Sequence, residues 1–208
     1  MKKIFIGSTK LAKGMEEIKY HSATKKIKET EPFYYGFSTV IANTVEKDDN
    51  VKLIILELQR KSGAIKDNTV CYQKDLEKIK SNCAAIIEEP KIIPLPFNES
   101  KSTFESAFSE LIEELEDEAE IYVDITFGAK TTSLLLLSFL QFAEKFFNCS
   151  VKMIVYVQRD FDENEKPIIG SECIYDVTSL FYLNSLMNSM NCKSGTEAVE
   201  TVKSFFAN

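Results

Sequence analysis

The sequence predicts an α/β fold: a mostly parallel sheet flanked by helices, with a short C-terminal helical tail. Two observations carry this expectation. Short apolar runs of strand type alternate with amphipathic stretches of a dozen residues or more, and such spacing calls for right-handed crossovers between parallel strands. Composition agrees, since 44% hydrophobic and 27% charged residues over 208 positions is ordinary for a globular chain of about one domain.

Taken in order, residues 3–6 form a first strand, followed by a polar stretch to Glu31 that is either a hairpin or an irregular loop. Phe33, Phe37, Val40, Ile41 and Val45 mark one helical face. Residues 51–58 are strand-like, and 61–68 are a polar loop. Leu76, Ile79, Cys83, Ile86 and Ile87 recur at helical spacing up to Pro90. Residues 91–97 are extended, and their two prolines suit an edge strand. A helix follows, with Ser102 and Glu105 spaced as a capping box; the glutamates of 110–120 read as a solvated face. Residues 120–126 are a strand and 130–147 a helix apolar around most of its circumference, expected to pack on the sheet and on a second subunit. Residues 151–157 form a buried strand and 168–175 a last edge strand. Helices over 179–190 and 196–206 complete the chain. The expected organisation is one domain over 1–178, with 179–208 as a helical tail packed on it.

Several function classes drop out. The longest apolar run is broken by Ser138, Gln141, Glu144 and Lys145, too soon for a membrane span. The apolar part of the N-terminus is too short for a signal peptide. A net charge of −7 and a pI near 5.0 oppose binding of a long nucleic acid, although a small anion can still be held by a local cluster of donors. Five scattered cysteines without a C-x-x-C pair, beside the single His21, offer no zinc-type cluster. They suggest reduced thiols in a cytoplasmic protein.

A sheet of this kind is Rossmann-like, and ligands of open parallel sheets bind at the carboxyl ends of strands, near a switch in strand order. Four loops fall on that edge: Gly7-Ser8-Thr9-Lys10, Gln59-Arg60-Lys61-Ser62-Gly63, Thr126-Phe127-Gly128-Ala129-Lys130-Thr131-Thr132, and Gln158-Arg159-Asp160. The third is the most informative. Gly128 permits close backbone approach, the helix start presents N–H groups, and Lys130 and the threonine hydroxyls add donors. Its spacing matches neither a Walker loop nor G-x-G-x-x-G, so no dinucleotide cofactor is expected. The bland alternative is a Thr-Gly helix cap, just as Gly7-Ser8-Thr9 is alternatively an ordinary turn. Arg60 and Arg159, the only arginines, each follow a Gln at a strand end, where bidentate phosphate binding is useful. His21 either reaches this edge or is a solvated surface residue. Asp124 is assigned to bonding the loop backbone. No nucleophile elbow or serine–histidine–acid pattern is present.

Asp124-Ile125-Thr126-Phe127-Gly128-Ala129-Lys130 resembles the D-x-T-x-G motif of CRISPR-associated Rossmann fold (CARF) domains. Gly7-Ser8-Thr9 after the first strand, the apolar helix after the motif, and Tyr175-Asp176-Val177-Thr178-Ser179-Leu180 resemble the same family. Phe127 stands where many members have His or Gly. The resemblance implies a homodimer that binds a cyclic oligoadenylate, tetra- or hexa-adenylate, in type III CRISPR antiviral defence. Gly7, Ser8 and Thr9 then make one contact and residues Thr126, Phe127, Gly128, Ala129 and Lys130 another; Lys10, Thr131, Gln59 and Arg60 join by position. Two alternatives stay open. One is a metal-independent ring nuclease using Ser8, Thr9 and Lys130 to support attack by an adenylate 2′-hydroxyl. The other is a Rossmann-type enzyme acting on a free nucleotide or sugar phosphate. No effector module follows in the sequence, so a sensor needs a separate effector or one fused to it in a longer parent chain.

Overall fold

A computed structural model describes residues 1–60, 63–96, 98–168 and 170–206. Lys61 and Ser62 of the second loop, Phe97, Ile169, Ala207 and Asn208 lie outside the described residues. The chain divides into two compact units, Met1–Thr178 and Ser179–Asn208.

In the first unit, β1 (Lys2–Ser8) leads into a long excursion that contains β2 (His21–Ser22). There follow α1 (Gly36–Thr44), β3 (Asn50–Arg60), β4 (Gly63–Ala64), α2 (Lys66–Asn82), β5 (Ile86–Ile87) and β6 (Lys91–Pro96). Then come α3 (Lys101–Glu113), β7 (Glu120–Asp124), α4 (Lys130–Phe147), β8 (Ser150–Gln158) and β9 (Cys173–Asp176). The sheet runs β2-β9-β8-β7-β1-β3, with β4, β5 and β6 all pairing with β3. β6, β3, β1, β7 and β8 are parallel, whereas β9 is antiparallel to β8. The fold is therefore α/β, Rossmann-like, with a mostly parallel sheet. Among the described residues no helix is long and apolar enough to cross a membrane.

The strand order explains the sequence pattern. From β1 the chain moves outward to β3 and β6, then returns to β7 on the other side of β1 and continues to β8. Right-handed crossovers then put α1 and α2 on one face and α3 and α4 on the other. Both faces of the central strands are covered, so β1 and β3 read as nearly continuous apolar runs. Phe5, Leu53, Ile55, Tyr122, Met153 and Val155 pack with Phe37, Val40, Ile41, Tyr72, Leu76 and Ile79. The intervening Ile4, Ile6, Ile54, Leu56, Ile121 and Val123 are equally buried, as alternation along a strand requires. β6 carries Pro94 and Pro96 at the sheet edge, where a missing N–H costs no ladder bond.

Four elements depart from expectation. α1 begins at Gly36, because Phe33 pairs with Ile18 and the Tyr34 and Tyr35 N–H groups donate to the Asp75 carboxylate, each at 3.0 Å. α2 begins at Lys66 and ends at Asn82, so Ile86 and Ile87 belong to a strand on the start of β3, and Pro90 stops no helix. The α3 cap is Ser100, which accepts from the Thr103 N–H at 3.3 Å; Glu105 pairs with Lys101 instead of closing a box with Ser102. β9 starts at Cys173 and is not the edge, since β2 pairs beyond it. α4 keeps its expected bounds and stops at Asn148, whose left-handed conformation (φ 52°) turns the chain so that the Cys149 N–H reaches the Ala143 carbonyl at 3.3 Å.

The second unit holds α5 (Thr178–Ser189), whose first residue belongs to the first unit, and α6 (Gly195–Phe206).

Candidate functional site at the strand switch

The reversal of strand order lies between β1 and β7, so their carboxyl ends frame the crevice where such sheets bind ligands. Gly7-Ser8-Thr9 and the turn from Thr126 to Lys130 meet there. Gly7 faces α2, and a Cβ at this position would lie 2.5 Å from the Tyr72 hydroxyl and 3.2 Å from Phe37. Only glycine fits. The Ser8 hydroxyl is fully buried and has no hydrogen-bond partner among the described residues, nor has that of Tyr72. Thr9 is committed to the sheet: its N–H donates to the Leu56 carbonyl at 3.0 Å, and its Oγ1 accepts from the Leu58 N–H at 2.9 Å. Lys10 and Ala12 are held through their carbonyls by the Asn68 amide, at 2.5 and 3.0 Å.

On the β7 side, Asp124 is 1% exposed and accepts from both the N–H of Thr126, at 2.8 Å, and its hydroxyl. Thr126 Oγ1 in turn accepts from the Val157 N–H at 2.9 Å. The Asp-x-Thr segment is thus a clamp that closes the turn and ties it to β8, and the Thr126 side chain is spent on it. Burial pushes the Asp124 carboxyl up to about 6, against the two bonds from Thr126. Asp176 and Thr178 repeat the clamp: the Thr178 N–H and hydroxyl donate to Asp176 at 3.1 and 2.5 Å, and Thr178 accepts from Ile154 on the same β8 at 2.8 Å. Burial raises the Asp176 carboxyl, but Thr178 and Lys26 outweigh it and hold the group below its ordinary range.

Phe127 meets Tyr35 edge-on at 5.9 Å. Gly128 has φ +117°, and a Cβ would sit 3.0 Å from Thr132. Ala129 is the α4 cap and offers no side-chain bond. The first N–H groups of α4 therefore face the crevice edge without a side-chain cap, with the positive end of the helix dipole behind them. Lys130 is exposed at this helix start. Thr131 is turned away, lining a groove with Phe104, Phe108 and Leu134 on the α3 side.

The remaining candidates are spread along the edge. Gln59 and Arg60 extend past β1, because Ser8 pairs with Leu56 and β3 continues into a hairpin on Gly63 and Ala64. Arg60 is exposed there, about 13 Å beyond the end of β1 at 3.3 Å per residue. Arg159 lies on the other side of the switch, at the end of β8, with Nε 2.5 Å from the buried Glu172 carboxylate. His21 is exposed on β2, beyond β9, and pairs with Glu29 at 2.8 Å. Among the described residues no cluster of His, Cys, Asp or Glu can hold a metal ion.

Three buried polar side chains behind these loops have no signal in the apolar pattern of the sequence. Asn68, Tyr72 and Asp75 are buried on α2, with Asn68 fixing the first loop and Asp75 holding the turn into α1 through Tyr34, Tyr35 and Ser38. Their spacing of four and three residues, continued by Ile79, is a helical stripe. A search for apolar residues alone passes over it. No protein-family model matches the chain, and no curated protein matches it.

Proposed function

We propose that this chain is a cyclic oligoadenylate-binding sensor domain of CARF type, acting as a homodimer in a type III CRISPR antiviral response. One observation carries the reading: the β1 end at Gly7-Ser8-Thr9 and the clamped Asp124-x-Thr126-x-Gly128 turn flank the strand switch, with the uncapped start of α4 between them and the sheet edge. Backbone N–H groups at a helix start suit phosphate oxygens, and Lys130 adds a cation on an otherwise acidic protein. The Ser8 hydroxyl lies buried behind this edge, without a partner among the described residues. A ring with rotational symmetry lets a second copy of the chain supply the same donors to the other half.

A second reading, cleavage of the ring, is favoured by what remains uncommitted. Thr9 is bonded to the sheet and Ser8 is buried, but the exposed Lys130 is available to steady a phosphate while the adenylate 2′-hydroxyl attacks it and the 5′-oxygen departs. Incubation with cyclic tetra-adenylate and cyclic hexa-adenylate, followed by chromatography, separates the readings. A sensor retains one of the rings intact; linear products select the nuclease. Binding of neither ring refutes the proposal and favours an enzyme acting on a free nucleotide or sugar phosphate.

A further inference from the structure

A cavity of about 260 Å³ lies on the β8 side of the switch, between the excursion that follows β1 and the loops after β7 and β8. It is small beside the roughly 300–1,000 Å³ pockets of drug-sized ligands, so it admits one ring system and not a chain of them. Its walls are aromatic, from Tyr20, Tyr34 and Phe127, and its polar groups are Lys10, Arg159 and Glu172, with Glu16 exposed at the rim. Tyr20 donates to the Tyr34 carbonyl at 2.9 Å, which fixes that wall. Glu172 is 3% exposed on its side chain, and one of its oxygens accepts from the Gly170 N–H at 2.9 Å while the other sits 2.5 Å from Arg159 Nε. Arg159 is 32% exposed, so one edge of its guanidinium is anchored and the terminal N–H donors are left for a ligand.

We infer that this cavity binds a single nucleoside phosphate unit, the base against Tyr34 and Phe127 and the phosphate on Arg159. A flat aromatic ring suits the walls, and a guanidinium held along one edge is already oriented for two parallel bonds to phosphate oxygens. Glu172 is a positioning residue. It touches no ligand and acts by holding Arg159. The choice of an adenine nucleotide rests on the oligoadenylate reading above; the pocket chemistry does not.

The test titrates 5′-AMP and adenosine into the full chain and into two variants, Arg159→Met and the double variant Arg159→Met/Glu172→Gln. The double variant removes both charges, so no buried carboxylate is left unpaired to compromise folding. The expected result is that both probes bind the parent chain, and that AMP weakens at least tenfold in the double variant while adenosine changes less than twofold. Glu172→Gln alone weakens AMP about fivefold, and raising the ionic strength lowers AMP affinity only where Arg159 is present. Equal losses for AMP and adenosine make the ion pair merely structural and overturn the inference, as does failure of AMP to bind. If AMP affinity is unchanged in the double variant while a cyclic oligoadenylate binds the parent, this inference fails and the sensor reading stands. If AMP behaves as expected and neither ring binds, the sensor reading fails and this one stands.

Discussion

Replacing Asp124 with Asn tests whether the clamp beside the switch carries a carboxylate buried at a cost. The carboxyl is 1% exposed and pushed by burial from 3.8 to about 6 in the folded chain. The folded state therefore binds the proton more tightly than the unfolded one, so this group makes stability fall as pH rises from about 4 through about 6, with no further loss above. At 1.36 kcal/mol per pKa unit, the gap between 3.8 and about 6 is worth about 3 kcal/mol. Asn keeps an oxygen where Asp124 Oδ1 accepts from the N–H and hydroxyl of Thr126, and it does not ionise. Urea unfolding of both proteins from pH 4 to pH 8 isolates the effect, because Asp75, also raised to about 6 by burial, is common to both. The stability of Asp124→Asn relative to the parent should rise by up to about 3 kcal/mol between pH 4 and pH 7 and then level off. A difference that stays flat with pH, or one that moves in the parent's favour, would show that Asp124 is not held protonated by burial.

The other predictions concern the same edge. Gly7→Ala drives a methyl against the unpartnered Tyr72 hydroxyl and should cost about 1–3 kcal/mol in thermal or urea unfolding. Tyr72→Phe should recover part of that loss in the double variant and, alone, should stabilise the chain by about 1 kcal/mol. Gly128→Ala forces a side chain into φ +117° against Thr132 and should cost about 1–3 kcal/mol, with ring binding lost alongside. Lys130→Ala should weaken ring binding at least tenfold in a titration, a loss of about 1.4 kcal/mol or more, while its melting temperature stays within about 2 °C of the parent, since the side chain is exposed. A folding defect with unchanged binding would make Lys130 structural.

Fold class and strand positions were legible because hydrophobic periodicity is strong where both sheet faces are covered. The α4 bounds were readable for the same reason. Less legible was everything decided by polar groups. The start of α2 is hidden because Asn68, Thr69 and Asp75 are buried polar residues, and only the tertiary partners of their side chains reveal that burial. β5 is hidden because Ile86 and Ile87 fit a period of 3.6 as well as a two-residue strand. At the site, the edge loops could be placed by topology, but which side chains remain free could not. Thr9 and Thr126 look like ligand donors in sequence and are spent on backbone N–H groups, whereas Ser8 between the same elements is not. The partner of Arg159 is Glu172, thirteen residues on across a hairpin loop, a pairing that no local pattern announces.

Isothermal titration of the chain with cyclic tetra-adenylate and cyclic hexa-adenylate decides whether two chains share one ring, because stoichiometry reports how the site is built. One ring should bind per two chains, with the heat signal abolished by Gly128→Ala and strongly weakened by Lys130→Ala. Saturation at one ring per chain, or no heat with either ring, would contradict a shared site.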